Sequence, residues 1–328
     1  MAELCNRKYA YAVCNGTAAL ELAVKAIGIE KGDEVIMPTF TIISCALAVI
    51  RAGGIPVYVD ADPETWNMRV DQVESLISEK TKAIMAVHIY GLTVDMDPLL
   101  EIAQKYNLKV IEDAAEVIGQ TYKGKPCGSF GDISTFSFYP NKHVTTGEGG
   151  MVLVDSDEMA VQCKSLRNLC FGKTERFVHE ELGWNFRMSN LQAAVGVAQL
   201  ERLSQTVAKK REGGRMYQEA LKKDDLFALP VAKTGYCENI YWVFGVVSKD
   251  PARPAKWWMQ KLGIEGIGTR PFFHPMHKQP IFRNFEIKCF PNLEHAEHLA
   301  QNGFYLPSGL TLTSNNIHKI REAILKLA

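Results

Sequence analysis

Phe136-Ser137-Phe138-Tyr139-Pro140-Asn141-Lys142-His143-Val144-Thr145-Thr146-Gly147-Glu148-Gly149-Gly150 is an aromatic strand that runs into a lysine and then a glycine-rich loop. Its first residues favour β structure, Pro140 ends the strand, and the glycines let backbone come close to a ligand. A lysine placed there can form a Schiff base once desolvation or a neighbouring charge deprotonates it. Taken by itself, the segment is better explained as a solvated loop. Outward from it, the apolar runs Glu34 to Met37, Ile55 to Asp60, Lys82 to His88, Leu108 to Asp113, Ile133 to Phe138 and Met151 to Asp155 alternate with helical patterns. Those patterns are Thr17 to Ile29, Thr41 to Ala52, Val70 to Ser78, Met96 to Tyr106 and Asp157 to Asn168, with Asp71, Asp95 and Asp157 as expected caps. The rhythm predicts an α/β fold with a mostly parallel sheet and crossover helices, whose ligands sit beyond the carboxyl ends of the strands.

Two further strand ends carry chemistry. After a strand over Tyr9 to Val13, Asn15-Gly16-Thr17-Ala18-Ala19-Leu20 turns into a helix. Free N–H groups and a hydroxyl at a helix N-terminus suit a phosphate, and a plain helix cap is the alternative. Ile111-Glu112-Asp113-Ala114-Ala115 closes an apolar strand on acids. A carboxylate at such an edge needs a cationic or hydrogen-bonding partner, so Asp113 either faces a cation or caps the next helix. Phosphate cradle, buried aspartate and loop lysine, met in this order, are what pyridoxal phosphate requires for its phosphate, its ring nitrogen and its aldehyde.

Beyond Ser189 the pattern changes to one long helix, Asn190 to Leu221, with Leu191, Ala194, Val195, Ala198 and Leu203 at helical spacing. A strand over Ile240 to Val247, a helix over Pro254 to Leu262, a Pro- and aromatic-rich segment from Thr269 to Phe282, and helices near Leu293 to Gln301 and Ser314 to Leu327 follow. The expected division is a large cofactor-binding domain, residues 1–205, and a smaller C-terminal α+β domain, residues 206–328. The 328 residues carry 37 Lys plus Arg against 37 Asp plus Glu, a balance that favours a small-molecule partner over nucleic acid. The longest charge-free apolar stretch, Val35 to Ile50, contains Pro38 and is short for a membrane span, and Met1 to Lys8 does not read as a secretory signal. A cytoplasmic protein is expected. Its 8 cysteines show no Cys-x-x-Cys spacing and read as reduced, mostly buried thiols, with no metal site expected.

The chain resembles the sugar aminotransferases of the DegT/DnrJ/EryC1/StrS type, within the fold-type-I pyridoxal phosphate enzymes. The resemblance runs over nearly the whole chain and is carried by Asn15-Gly16-Thr17-Ala18-Ala19-Leu20, Gly32-Asp33-Glu34-Val35-Ile36, Pro38-Thr39-Phe40-Thr41, Tyr90-Gly91, Glu112-Asp113-Ala114-Ala115, the Phe136 to Gly150 run, and Gly183-Trp184-Asn185-Phe186-Arg187-Met188-Ser189-Asn190. It implies that Lys142 carries the cofactor, that Asp113 partners the ring nitrogen, and that Ser137, Thr17 and the backbone of Gly16 and Ala18 hold the phosphate. Glu116 falls near the expected phenolic oxygen. Asn185 matches a residue that in relatives reaches across a dimer interface, so a homodimer with shared active sites is implied. Ile42 stands where many relatives place an aromatic residue against the cofactor ring, and apolar packing by Ile42 could cover one face with less stacking. Relatives usually have some tens of residues ahead of the strand that begins here near Tyr9.

The implied reaction moves an amino group, with L-glutamate as donor, to C4 of a nucleotide-linked 4-keto-6-deoxy sugar. The wording Thr269-Arg270-Pro271-Phe272-Phe273 most resembles perosamine-synthase-like enzymes, which points to GDP-4-keto-6-deoxymannose. Arg270, Phe272, His274 and His277 are the expected substrate contacts, with Lys173 and Arg187 as further cations for the diphosphate. Two alternatives stand beside this reading. One is a sugar 3-dehydratase, which replaces the lysine by histidine; counting back from Gly147-Glu148-Gly149-Gly150 puts Lys142, not His143, at that position. The other is a non-catalytic homologue that binds the cofactor or a sugar nucleotide without turnover.

Overall fold

The strands of the first half are short apolar runs, most of them buried on both faces, the condition that drives a sheet between two helical layers. In the computed structural model, which describes residues 1–172 and 175–328, β1 (Tyr9–Val13), β2 (Glu34–Pro38), β3 (Ile55–Val59), β4 (Thr81–Val87) and β5 (Lys109–Asp113) are five of these runs. A small hairpin, β6 (Thr121–Tyr122) and β7 (Lys125–Pro126), precedes β8 (Ile133–Ser137) and β9 (Gly150–Val154). The sheet order is β1-β9-β8-β5-β4-β2-β3, and β9 alone runs against the others. The helices α1 (Gly16–Ala26), α2 (Ile43–Arg51) and α4 (Asp157–Leu166) share a core with one face, through Leu22, Val49 and Cys163. On the other face lies α3 (Met96–Lys105), through Leu99 and Ala103.

Several expected elements differ in detail. Val70 to Ser78 is not a helix but two single 3-10 turns, Val70–Gln72 and Glu74–Leu76, because the Gln72 side chain turns inward to accept the Asp60 amide. Asp71 pairs with Arg69 rather than capping, Asp95 accepts from the Tyr122 hydroxyl, and Ser156, one residue before Asp157, caps α4. The long helix is two, α5 (Asn190–Glu201) and α6 (Leu203–Leu221), separated by Arg202 at φ −104°, ψ 6°. The expected apolar face of α5 is left open, with Leu191 84% and Val195 49% exposed.

A second sheet, ordered β10-β11-β14-β12, is built from β10 (Phe227–Ala228), β11 (Phe244–Ser248), β12 (Arg270–Pro271) and β14 (Gly303–Leu306). Helices α7 (Ala255–Ile264) and α9 (Ser314–Leu327) enclose its core with Tyr217 and Leu221 of α6, while Leu203 and Val207 of α6 pack with Val117 and Ile118 beyond β5. The short β13 (Lys288–Cys289) returns to the large sheet beside β3, and α8 (Glu294–Asn302) leads into β14. Cys289 is exposed and Cys14 half-buried; the other six cysteines are buried, and all eight are free. No helix among the described residues is long and apolar enough to cross a membrane.

Candidate active site

A cavity of about 540 Å³ opens at the carboxyl ends of β1, β2, β4, β5 and β8, where the parallel topology leads one to look. Asn15, Gly16 and Thr17 reach it from the start of α1, Thr41, Ile42 and Ser44 from the turn into α2, and Asp113 and Glu116 from the end of β5. Thr135 and Ser137 reach it from β8, and Tyr139, Asn141 and Lys142 from the following loop. That loop is pinned at both ends by the antiparallel β8–β9 pair.

At the phosphate-like corner, the Asn15 side chain accepts from the Ala18 amide at 2.8 Å and opens α1 with its N-terminus toward the cavity. A Cβ on Gly16 would lie 2.7 Å from Ser137 Cβ, so only glycine allows α1 this close to β8. Thr17 and Ser44 share a hydroxyl contact of 2.9 Å. The Thr135 hydroxyl is buried on the same wall without a hydrogen-bond partner among the described residues.

The charged floor is tightly built. Asp113 is buried and accepts from the Ala115 amide at 3.1 Å and from the Cys45 thiol at 3.4 Å. Glu116 accepts from the Tyr90 amide at 2.8 Å and stands 3.5 Å from Lys142 Nζ. Burial raises the Asp113 carboxyl above its usual range, against the pull of the Ala115 amide and Lys142, and pushes Glu116 up to about 7. Burial lowers the Lys142 amine, while Glu116 and Asp113 pull it back up. The opposing side is aromatic. Lys142 Nζ lies 3.7 Å from the centroid of the Trp242 ring, whose indole N–H donates to Asn141 O at 2.8 Å. Phe273 stacks on Tyr90 at 5.3 Å and, with Tyr305, completes the wall. Gly91, at φ +99°, lets the Tyr90 turn pass the Tyr241 and Trp242 amides, which a Cβ would meet at 2.6 and 2.7 Å.

Of the cofactor residues read from the sequence, Gly16, Thr17, Ile42, Asp113, Glu116, Ser137 and Lys142 line the cavity; Ala18 contributes the amide that Asn15 caps. Ile42 is 43% exposed at the cavity edge. Asn185 does not reach the cavity of its own chain; it is exposed and accepts from Arg187 at 3.1 Å. The substrate segment needs correction. Phe272 is buried against Tyr90, Trp66 and Phe40, and the next residue, Phe273, faces the cavity instead, because Phe272 N is tied to Gly303 O beside β14. His277 is held by Thr39 at 2.7 Å and Glu297 at 3.1 Å, and neither it nor exposed His274 lines this cavity or the cleft beside it. Arg270 lines the adjoining cleft. Lys173 lies outside the described residues. Ser44, Tyr90, Trp242 and Tyr305 are not singled out by the sequence as site residues. Tyr90-Gly91 was visible as a motif, whereas Trp242 and Tyr305 had no local signal of a role.

His143 points away from the cavity, its Nε2 donating to Ile240 O at 3.4 Å, and burial lowers its pKa to about 3. A second buried cluster, His88, Glu112 and Cys127, has ligand atoms within 4.8 Å of one another. Two of its three members are already engaged. His88 Nδ1 accepts the Val94 amide, which leaves Nε2 to donate to Glu112, and Glu112 also accepts from the Gly128 and Phe130 amides and Ser134. Its chemistry suits a hydrogen-bond hub better than a metal.

Residues 1–325 match a family model described as the DegT/DnrJ/EryC1/StrS aminotransferase family. A GDP-perosamine synthase of Caulobacter vibrioides is 41% identical over 326 residues, covering 98% of this chain and 86% of that protein. A UDP-N-acetyl-3-dehydro-alpha-D-glucosamine 3-aminotransferase of Acidithiobacillus ferrooxidans is 37% identical over 314 residues, covering 94% and 82%. Among solved structures, S. venezuelae DesV in complex with a ketimine intermediate superposes with a TM-score of 0.91 at 30% identity, covering 99% of this chain and 86% of that one.

Proposed function

This chain belongs to the DegT/DnrJ/EryC1/StrS aminotransferase family as a pyridoxal phosphate-dependent sugar aminotransferase, and from that premise we propose its substrate, its site residues and its assembly. The amino group goes from L-glutamate to C4 of a nucleotide-linked 4-keto-6-deoxy hexose, with the GDP-mannose-derived sugar preferred. Similarity to the Caulobacter GDP-perosamine synthase supports that choice; similarity to the 3-aminotransferase keeps C3 as the other outcome.

The residues fit the cofactor. The α1 N-terminus with Gly16, Thr17, Ala18 and Ser137 would hold its phosphate, and the unpartnered Thr135 hydroxyl offers one more polar group on that wall. Asp113 would hold the proton of the ring nitrogen, Glu116 would face the phenolic oxygen, and Ile42 would cover one edge. Bound there, pyridoxal phosphate supplies an aldehyde that accepts amines and a ring that delocalises the charge left when a carbon-bound proton departs.

The observation that carries the reading is the position of Lys142. Its amine stands between an aromatic face and a buried carboxylate in the cavity, while His143 faces the core. Desolvation lowers the amine toward the working pH, which is what a group that takes and returns a proton requires. The same placement disfavours the dehydratase reading, which needs a histidine at this point. A division at residues 1–205 and 206–328 is supported by the two sheets, with α6 bridging their cores and β13 of the second part returning to the large sheet. We place the protein in the cytoplasm, where its free thiols stay reduced, as a homodimer in which Asn185 serves the partner's site.

The test is incubation of the cofactor-loaded protein with glutamate and GDP-4-keto-6-deoxymannose, with mass and NMR analysis of the product. A GDP-4-amino sugar is expected. Borohydride reduction and peptide mapping should label Lys142, and a label on another lysine would overturn its assignment. Tighter inhibition by dTDP or UDP than by GDP would reject the preferred nucleotide.

A further inference from the structure

Trp242 lies just before β11, far along the chain from Lys142, yet its ring, its indole N–H and its carbonyl are all engaged. The ring centroid is 3.7 Å from Lys142 Nζ, and the N–H donates at 2.8 Å to the carbonyl of Asn141, the residue before that lysine. The Trp242 carbonyl accepts from Lys210 at 2.8 Å, and the ring lies tilted against Tyr90 with centroids 6.0 Å apart. Only 5% of the residue is exposed. The backbone that delivers it is bent to an unusual degree. Tyr241, directly before it, holds a left-handed φ of 47°, a conformation that bulky side chains rarely adopt. Asn239 fixes this turn by accepting the Tyr241 amide at 2.7 Å, and the Ile240 amide donates to Gly91 O at 3.1 Å. A strained, tightly held turn that sets one aromatic face on one amine points to a role for that face.

A π face attracts the ammonium form of a lysine rather than the free amine, and the attraction grows where water is kept away. We propose that Trp242 is the positioning residue for Lys142: its ring seats the protonated amine, and its N–H holds the backbone of the preceding residue so that the amine returns to one place. This rests on the proposed function, in which Lys142 takes a proton from a substrate carbon and later gives it back. The C–H bond breaks, its electron pair stays with the carbon, and the proton completes an ammonium on Nζ. Glu116, at 3.5 Å, marks one direction for that ammonium, and the ring marks a second. The titratable groups that face Lys142 are Glu116 and Asp113 at and after the end of β5 and the Cys45 thiol of α2, with His88, Tyr139, Glu148 and Tyr305 on other walls of the cavity. All of them remain when Trp242 is replaced, so a change in the titration of the amine reads the ring.

In the test, the full-length protein is stripped of cofactor and recharged with pyridoxal phosphate over a range of pH, with the rate of capture followed by absorbance and the dissociation constant measured alongside. Trp242→Leu keeps the site apolar but removes the face. Its pH midpoint for the capture rate should fall by about one unit, because the ammonium loses its seat and the free amine is favoured. Trp242→Phe retains a weaker face and loses the N–H. Its midpoint should fall by less than half as much, while cofactor affinity weakens about five-fold, the scale of one lost hydrogen bond. Trp242→Met, of more adaptable shape, takes the place of Trp242→Leu should that variant fail to fold. An unmoved or raised midpoint in the variant without a ring, or an equal fall in Trp242→Phe, would overturn the role of the face and leave Trp242 as packing. Borohydride mapping of the wild-type protein separates the two levels of the argument. A label on another lysine would overturn the assignment of Lys142 on which this inference rests.

Discussion

Glu116 and Lys142 share one buried contact, and each shifts the other's titration. Burial lowers the lysine while the Glu116 charge raises it, so removing that charge lowers it further. In Glu116→Gln, the pH midpoint for capture of pyridoxal phosphate by Lys142, followed by absorbance, should move down by about half to one unit. An unmoved or raised midpoint would show that the carboxylate does not act on the amine. Asp113 is the other charged group of the floor, held by an amide and a thiol. Asp113→Asn should bind cofactor but lose roughly 100-fold in turnover, the scale of a buried charge-assisted hydrogen bond of about 2–3 kcal/mol. Near-normal turnover would reduce Asp113 to a cap. Asp113 and Lys142 were legible in the sequence because the first closes an apolar strand and the second follows one, each within an unbroken motif. Trp242 and Tyr305 were not, since they join Lys142 at the cavity only after the second sheet has folded against the first. Phe272 and Phe273 look interchangeable as letters, and the pairing of β12 with β14 decides which of them turns inward.

Among the elements, α1 fits tightly against β8. An Ala at position 16 would place its Cβ 2.7 Å from that of Ser137, within a sheet that has little room to give. Gly16→Ala should therefore cost about 1–3 kcal/mol in chemical denaturation and weaken cofactor binding more than stability alone explains. A variant with wild-type cofactor affinity would remove the α1 N-terminus from the phosphate site. Parallel strands and crossover helices were legible at this scale because buried β runs and helical periods contrast strongly. Boundaries were less so. β11 starts at Phe244 rather than Ile240 because Tyr241 takes a positive φ of 47°, and β14 is only four residues leaving α8 directly, too short for a period to emerge.

For the whole molecule, the open face of α5 and the position of Asn185 bear on assembly. Leu191 and Val195 make the helix look like core in sequence, yet both are exposed in the single chain. Mixing inactive Lys142→Ala with inactive Asn185→Ala should restore part of the activity, since some mixed dimers hold one intact site. Failure despite proven subunit exchange would confine Asn185 to its own chain. Acid stability gives an independent reading of the interior. Glu116 is raised from 4.5 to about 7, so the folded state binds its proton more tightly, and this group adds stability as pH falls through that window. His143 is lowered from 6.5 to about 3 and acts with the opposite sign, withdrawing stability as pH falls below 6.5. Relative to wild type, cofactor-free Glu116→Gln should lose about 1.4 kcal/mol per pH unit between pH 7 and 4.5 in urea titrations. A constant difference would show that Glu116 titrates normally.

Glu112 lies below this site and gathers the Gly128 and Phe130 amides, Ser134 and His88, while Arg7 binds Gly128 O at 2.8 Å and the Ser134 hydroxyl at 2.9 Å from the other side. The connection between β7 and β8 thus hangs on two buried side chains instead of a ladder of strands. Seen through deuterium uptake, its Gly128 and Phe130 N–H groups should be among the last in the chain to take up label, a slow patch in a stretch that has no helix or strand of its own.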